Sequence, residues 1–286
     1  MNELERAVMT ISCDDCAGIP KVQEAGRILD TSDGLVQIMH NGLKVRAGGY
    51  YGDWMAHIIR GLRGHHEPQE ELAFHHLLKY VRHNSLVVEL GAFWSYYTLW
   101  YLHDVPNSSA ICVEPDPSNI EVGKDNARLN HLEDRIRFHE AWIGAQSLDS
   151  LELRCESTNT QRLLPCLDMA AVANLADNRI IELLHIDAQG AELPFILSMV
   201  PQVQQRLVRF IVVSTHHSSI SGSPTTHTDC RDALLNLGAI ILSEHDVQQS
   251  FSGDGLIVAS FFAEDQRIQL PHLSLNSPHL SMFPEP

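Results

Sequence analysis

Residues 87–100 read V-V-E-L-G-A-F-W-S-Y-Y-T-L-W. An apolar run that turns at one glycine and continues into an aromatic-rich segment has the form of a buried strand feeding a helix. Turns that hold a dinucleotide pyrophosphate carry two or three glycines, so that the backbone can close on the phosphates. Here Gly91 stands alone, and Ser95 sits where the last glycine often falls. The ligand of such a turn is one that does not need a tightly held pyrophosphate.

Outward from this turn the same alternation repeats. Strands are expected over 86–90, 110–114, 135–139, 150–154, 182–187, 209–215, 239–243 and 256–261, and helices over 94–103, 117–130, 191–203 and 227–237. Ahead of them, E-P-Q-E-E-L-A-F-H-H-L-L opens with acids and Pro68, which suits a helix start. Continuous apolar strands alternating with helices predict an α/β fold, a parallel sheet covered on both faces. The last two strands are expected to close as an antiparallel pair. Residues 1–60 show no long amphipathic period and read as a small N-terminal cap of short strands and turns. The main domain is expected over 61–270, with a loosely held, proline- and serine-rich tail over 271–286.

The 286 residues are 44% hydrophobic, enough for one large core with a small appendage. Lys plus Arg number 20 against 36 Asp plus Glu, and the net charge of −16 repels phosphate backbones and anionic membranes. Nucleic acid is therefore disfavoured as a partner, and a small-molecule or glycan substrate is expected, with a homo-oligomer left open. No apolar run reaches the roughly 18–20 residues of a membrane span. The start M-N-E-L-E-R has no basic segment leading into an apolar one, so a cytoplasmic location is expected. The six cysteines read as reduced thiols. Cys13 and Cys16 form a C-x-x-C with no second pair to complete a structural zinc site.

In open α/β sheets, ligands sit beyond the carboxyl ends of the strands, at the switch point. The strand after the turn ends in Glu114, 25 residues beyond Glu89. A carboxylate there accepts hydrogen bonds from ribose hydroxyls. A bulky turn followed by a ribose-binding acid suits a phosphate-free nucleoside with a zwitterionic tail, and S-adenosylmethionine is such a ligand. Four pieces then fall in register: E-P-Q-E-E, V-V-E-L-G-A-F-W-S-Y-Y-T, E-P-D-P-S-N-I-E-V-G-K-D-N-A-R-L-N and H-I-D-A-Q-G-A-E-L. Together, across about half the chain, they resemble the FkbM-type methyltransferases, a branch of the class I S-adenosylmethionine-dependent enzymes.

The resemblance implies a Rossmann-like class I methyltransferase fold with a mostly parallel seven-stranded sheet and S-adenosylmethionine as cofactor. It also implies acceptors such as sugars, glycolipids or natural-product hydroxyls. By the family's motifs Glu67 and Glu89 would serve the cofactor, Glu89 orienting the methionine amino end. Gly91, Ala92, Phe93, Trp94 and Ser95 would line it, and Glu114 would bind the ribose with Pro115 and Asp116 nearby. Glu140, Ala141 and Trp142 would border the adenine, and Asp187 would end its strand beside the reacting methyl. The family's turn usually reads D-x-G-A-N-x-G. This chain has Glu89, Phe93 and Ser95 at the variable points, and Gln189 where the family carries a glutamate.

Methyl transfer from a sulfonium is an in-line displacement that needs alignment, and a neutral hydroxyl acceptor must also lose a proton. The strand R-F-I-V-V-S-T-H-H puts His216 and His217 at its carboxyl end. One of them is expected to be the base, with Asp187 orienting it or acting in its place. His65, His66 and Gln189 are expected on the substrate side. No metal is expected, although Asp187 with His216 or His217 could host a divalent ion. Asp254, in S-G-D-G, reads as a turn residue. The rival readings are a nicotinamide-dependent oxidoreductase, which would want G-x-G-x-x-G, and a non-catalytic S-adenosylmethionine-binding protein.

Overall fold

In the computed structural model, which describes residues 3–155 and 158–285, helices flank a meander in the N-terminal segment. Helix α1 spans Glu3–Ile11. Strands β1 (Ile28–Thr31), β2 (Gly34–Ile38) and β3 (Lys44–Arg46) pair antiparallel in that order, and α2 spans Asp53–Gly61. The expectation of strands and turns misses both helices. Each is nine residues long, and α1 buries Ala7 and Thr10 while leaving Leu4 and Val8 exposed. The face it buries is thus not the one its apolar period marks. Two asparagines of the D-N-A-R-L-N piece fasten this segment to the body. Arg46 N donates to Asn126 Oδ1 at 2.8 Å and Lys44 N to Asn130 Oδ1 at 2.9 Å.

The body follows as α3 (Pro68–Leu77), β4 (Leu86–Leu90), α4 (Tyr96–Asp104), β5 (Ser109–Val113), α5 (Pro117–Leu129) and β6 (Ile136–His139). Then come β7 (Trp142–Ile143), β8 (Leu148–Arg154), β9 (Gln161–Leu167) and α6 (Met169–Leu175), before β10 (Ile181–Ile186) returns to the centre. The chain closes with α7 (Glu192–Leu197), α8 (Val200–Gln204), β11 (Val208–Thr215), α9 (Ser218–Ser221), α10 (Thr226–Asn236), β12 (Ile240–His245) and β13 (Gly255–Ser260). The main sheet has seven strands in the order β12-β13-β11-β10-β4-β5-β6. Its pairs are parallel except those of β13, which is antiparallel to β11 and to β12. Strands β7, β9 and β8 make a separate small sheet.

Side chains alternate across the sheet. Val87, Cys112, Leu183 and Val212 face a layer with Phe74, Tyr96, Trp100 and Met39. Leu86, Val88, Ile111 and Val213 face Val172, Phe195 and Leu234 on the other side. Each fully buried large apolar side chain contributes roughly 1.5–3 kcal/mol. Covered on both faces, β4, β10 and β13 are accordingly largely apolar and buried throughout.

Three differences from the sequence reading have physical causes. The helix expected over 191–203 divides into α7 and α8, with Pro201 in the first turn of α8, where its missing N–H costs nothing. Strand β9 escapes notice because Pro165 interrupts its pattern, and its pairing with β8 shifts register between Leu148 and Leu151. The tail is fastened rather than loose. Asn276 Nδ2 donates to Ser250 O at 3.1 Å, Ser274 N donates to Asp15 Oδ2 at 3.0 Å, and Phe283 is buried. All six cysteines are free and buried. Among the described residues no helix is long and apolar enough to cross a membrane.

Candidate active site

Strands β4 and β10 are neighbours although β5 to β9 separate them in the chain, so the switch point opens between their carboxyl ends. Glu89 and His185 lie opposite each other there. Gly91 follows at φ +79°, and a Cβ on it would lie 1.7 Å from the Asp187 carbonyl oxygen. The neighbouring strand end therefore requires this glycine, whatever else approaches it. Phe93 (φ +35°) and Ser95 (φ +60°) keep left-handed backbone without being glycine, a conformation costing about 1–2 kcal/mol per residue. Gly91, Ala92, Phe93 and Trp94 line a cavity of about 1360 Å³. Ser95, expected beside them, does not. It is fully buried, and a Cβ on Gly123 of α5 would come within 2.7 Å of its Oγ.

Glu89 lines the cavity and also caps α4, its Oε2 accepting from Thr98 N at 3.1 Å. Burial pushes its pKa up to about 7, against the pull of His185 and Thr98. Glu114 sits just past β5 on the same cavity wall. It accepts from Asp116 N at 2.9 Å, Phe93 N at 3.1 Å and Asn119 Nδ2 at 3.2 Å. Burial outweighs these donors and raises it to about 7 as well. Pro115 and Asp116 line the wall beside it, and Asp116 caps α5 through Ser118 N at 2.8 Å. Ala141 and Trp142 border the same end of the cavity. Glu140 does not, because it is exposed and paired with Arg162. The small sheet adds Leu151 and Cys155 to this wall, residues that the sequence pattern does not place at the site.

Beneath the turn lies a layer of buried histidines held by acids. His66 Nε2 lies 3.2 Å from Glu67 Oε2 and its Nδ1 lies 2.7 Å from Glu71 Oε1. Burial disfavours its charge, yet Glu67 and Glu71 hold its pKa at about 10. His185 Nε2 lies 2.7 Å from Glu70 Oε1, and although burial opposes it, Glu70 and Glu89 raise it to about 9. Glu67 and His66 line the cavity, and Tyr97 OH donates to Glu67 at 3.0 Å. His65, expected on the substrate side, is fully buried away from the cavity, paired with Glu71 and stacked on His40. Cys16, His65 and Glu71 are the one cluster among the described residues with three metal-ligand types close together. Glu71 already accepts from His65, from His66 N at 2.7 Å and from Glu67 N at 3.2 Å, so hydrogen bonds account for it.

At the opposite end stand Asp187, His216, Asp254 and His217. His216 Nδ1 lies 2.8 Å from Glu192 Oε1, and its Nε2 lies 3.2 Å from Asp187 Oδ1 and 3.9 Å from Asp254 Oδ1. Burial alone would neutralise the ring, but Glu192, Asp254 and Asp187 hold its pKa well above the ordinary value. An imidazolium with acids at both nitrogens has no lone pair for a further proton. His217 Nδ1 accepts from Ser219 N at 3.1 Å, and its Nε2 donates to Pro284 O at 3.1 Å. The two rings expected to supply a base, or a metal site with Asp187, are both engaged in other contacts. Gln189 Nε2 donates to Tyr51 OH at 3.0 Å over the mouth, and Tyr50 stacks on Trp94 at 4.6 Å. Arg6 of α1 and Phe283 of the tail complete the rim.

A mostly parallel seven-stranded sheet, a one-glycine turn and an acid beyond the second strand define a Rossmann-like methyltransferase architecture. The sequence profile described as "Methyltransferase FkbM domain" matches residues 81–241, and the chain belongs to that family. Among solved structures it is similar to the methyltransferase FkbM from Methylobacillus flagellatus KT, with 15% identity and a TM-score of 0.47 over 72% of this chain. It spans 54% of that protein's chain, about half its length. It is also similar to precorrin-6y C5,15-methyltransferase from Geobacter metallireducens GS-15, with 14% identity and a TM-score of 0.43, covering 67% of this chain and 87% of that one. No curated protein matches the chain.

Proposed function

We propose that this protein binds S-adenosylmethionine between the carboxyl ends of β4, β5 and β10 and methylates a hydroxyl of a sugar, glycolipid or natural product. The observation that carries the reading is Glu114. It is a buried carboxylate on the cavity wall with three neutral donors and, among the described residues, no cation at hydrogen-bond distance. Such a group is poised to accept from further hydroxyls, and a ribose diol supplies two. The one-glycine turn agrees, since Phe93, Trp94 and Ser95 stand where a pyrophosphate-binding turn carries glycines that let the backbone close on phosphates.

The residues present fit the group. Glu114 would take the ribose, Ala141 and Trp142 the adenine edge, and Glu67 and Glu89 the cationic amino end. Bound there, S-adenosylmethionine would supply a methyl group on a leaving group that needs no protonation. The protein's own task is alignment and exclusion of water. Tyr50, Tyr51 and Trp54 cover the mouth, and Glu192 holds His216 so that it orients Asp187. A cavity of about 1360 Å³ exceeds the roughly 300–1,000 Å³ of a single-ligand pocket, which leaves room for an acceptor.

Thermal unfolding with S-adenosylmethionine, S-adenosylhomocysteine and NAD tests this. A ligand at a hundredfold its Kd adds about 2.7 kcal/mol, several degrees of Tm for a chain of this size. Stabilisation by the two sulfur nucleosides and none by NAD is expected. Stabilisation by NAD alone would favour the oxidoreductase reading instead.

A further inference from the structure

We propose that Asp254 is the general base that takes the proton from the acceptor hydroxyl, a role that rests on the methyltransferase reading above. The other carboxylates of the cavity each have donors. Glu67 has Tyr97, Glu89 has Thr98, Glu114 has Phe93, Asp116 and Asn119, and Asp187 has His216. Asp254 accepts no hydrogen bond among the described residues, and its side chain is 24% exposed, open to the cavity. A carboxylate that faces the cavity and that no protein donor holds is free to receive one from a ligand.

Its place supports the role. Asp254 immediately precedes β13, the antiparallel partner of β11, and so stands beside the end of β11 where His216 lies. His216 Nε2 faces both Asp187 at 3.2 Å and Asp254 at 3.9 Å, so the two aspartates share one cation on the acceptor side. The charged groups around Asp254 are His216 past β11, Asp187 past β10, Arg6 of α1 and Glu67 ahead of α3. Burial raises its pKa to about 7, with His216 opposing and Asp187 reinforcing the shift, which lies in the range where a general base is most effective. In the step, the acceptor oxygen forms its bond to the methyl carbon while its proton passes to Asp254. The carbon–sulfur bond breaks with its electron pair going to sulfur, and S-adenosylhomocysteine leaves neutral.

The test uses Asp254→Asn in the full chain with two readouts that need no acceptor and one that does. The expected result is S-adenosylhomocysteine affinity within about twofold of the parent and a Tm at pH 8 equal to or above it. Transfer of tritiated methyl from S-adenosylmethionine to a panel of mono- and oligosaccharides and hydroxylated natural products should fall about 10²–10⁴-fold. A Tm several degrees lower would make Asp254 a structural residue and overturn the proposal, as would undiminished methyl transfer. Failure of the parent protein to bind S-adenosylhomocysteine would overturn the underlying methyltransferase reading instead.

Discussion

Ser95 stands in for a turn glycine, and a glycine on the helix opposite accommodates it: a Cβ on Gly123 would come within 2.7 Å of its Oγ. Gly123→Ala should cost about 1–3 kcal/mol by overpacking. In urea unfolding, the double variant with Ser95→Gly should recover at least about 1 kcal/mol beyond the sum of the single changes. Strict additivity would show that the two residues do not share the space. Gly91 has no such partner that could yield. With a Cβ 1.7 Å from the Asp187 carbonyl oxygen, Gly91→Ala should cost at least about 4 kcal/mol, and a folded, active variant would contradict the strand contact. At this scale the sequence motif places Glu89, Gly91 and Glu114 at the strand ends, where the structure has them on the cavity wall. The sequence was not legible at Asp254, whose neighbours His216 and Asp187 come from other elements. It misled at Ser95 and Glu140, because a motif position says nothing about which way a side chain turns.

Elements carried a clearer signal when their apolar run was continuous. Strands β4, β10, β11 and β13 are buried along nearly all their length, so their residues had little freedom to be polar. The small sheet is half-exposed, so polar residues interrupt its apolar runs, and the N-terminal helices are only nine residues each, too short for their apolar period to stand out. The loop between β3 and α2 is the case with most consequence. It carries Tyr50, stacked on Trp94 with an interplanar angle of 7°, and Tyr51, in contact with Gln189. An aromatic pair contributes about 0.5–1.5 kcal/mol beyond its buried area. Tyr50→Ala should therefore lower stability by about 1–2 kcal/mol and weaken S-adenosylhomocysteine binding several-fold, read by calorimetry. Unchanged affinity would mean that this loop covers the fold and not the ligand.

Across the whole molecule, the buried acids and imidazoles set a pH dependence with a definite sign. Glu89, Glu114 and Asp254 have folded pKa values of about 7, above the ordinary carboxylate range, so they weaken the fold as pH rises from about 4.5 through 7. His185 at about 9 and His66 at about 10 stabilise below about 6.5, and that contribution is lost as pH climbs through their folded values. Glu71 and Glu192 are held low, so their contribution disappears in acid. The net charge of −16 adds self-repulsion at high pH. The ligand-free protein should thus have its highest Tm at about pH 5–6 and lose stability toward about pH 10, whereas a steady rise in Tm with pH would contradict these protonation states. Cofactor binding should run the other way, because Glu114 and Glu89 must be ionised to accept. The most direct measurement is therefore a calorimetric titration of S-adenosylhomocysteine into the parent protein and Glu114→Gln at pH 6 and pH 8. The parent should bind roughly a hundredfold tighter at pH 8, about tenfold for each of two carboxylates that ionise near 7, and Glu114→Gln should bind more weakly with a smaller pH effect. Absence of binding to the parent at both pH values, or equal binding by the two proteins, would contradict the assignment of the ribose to Glu114.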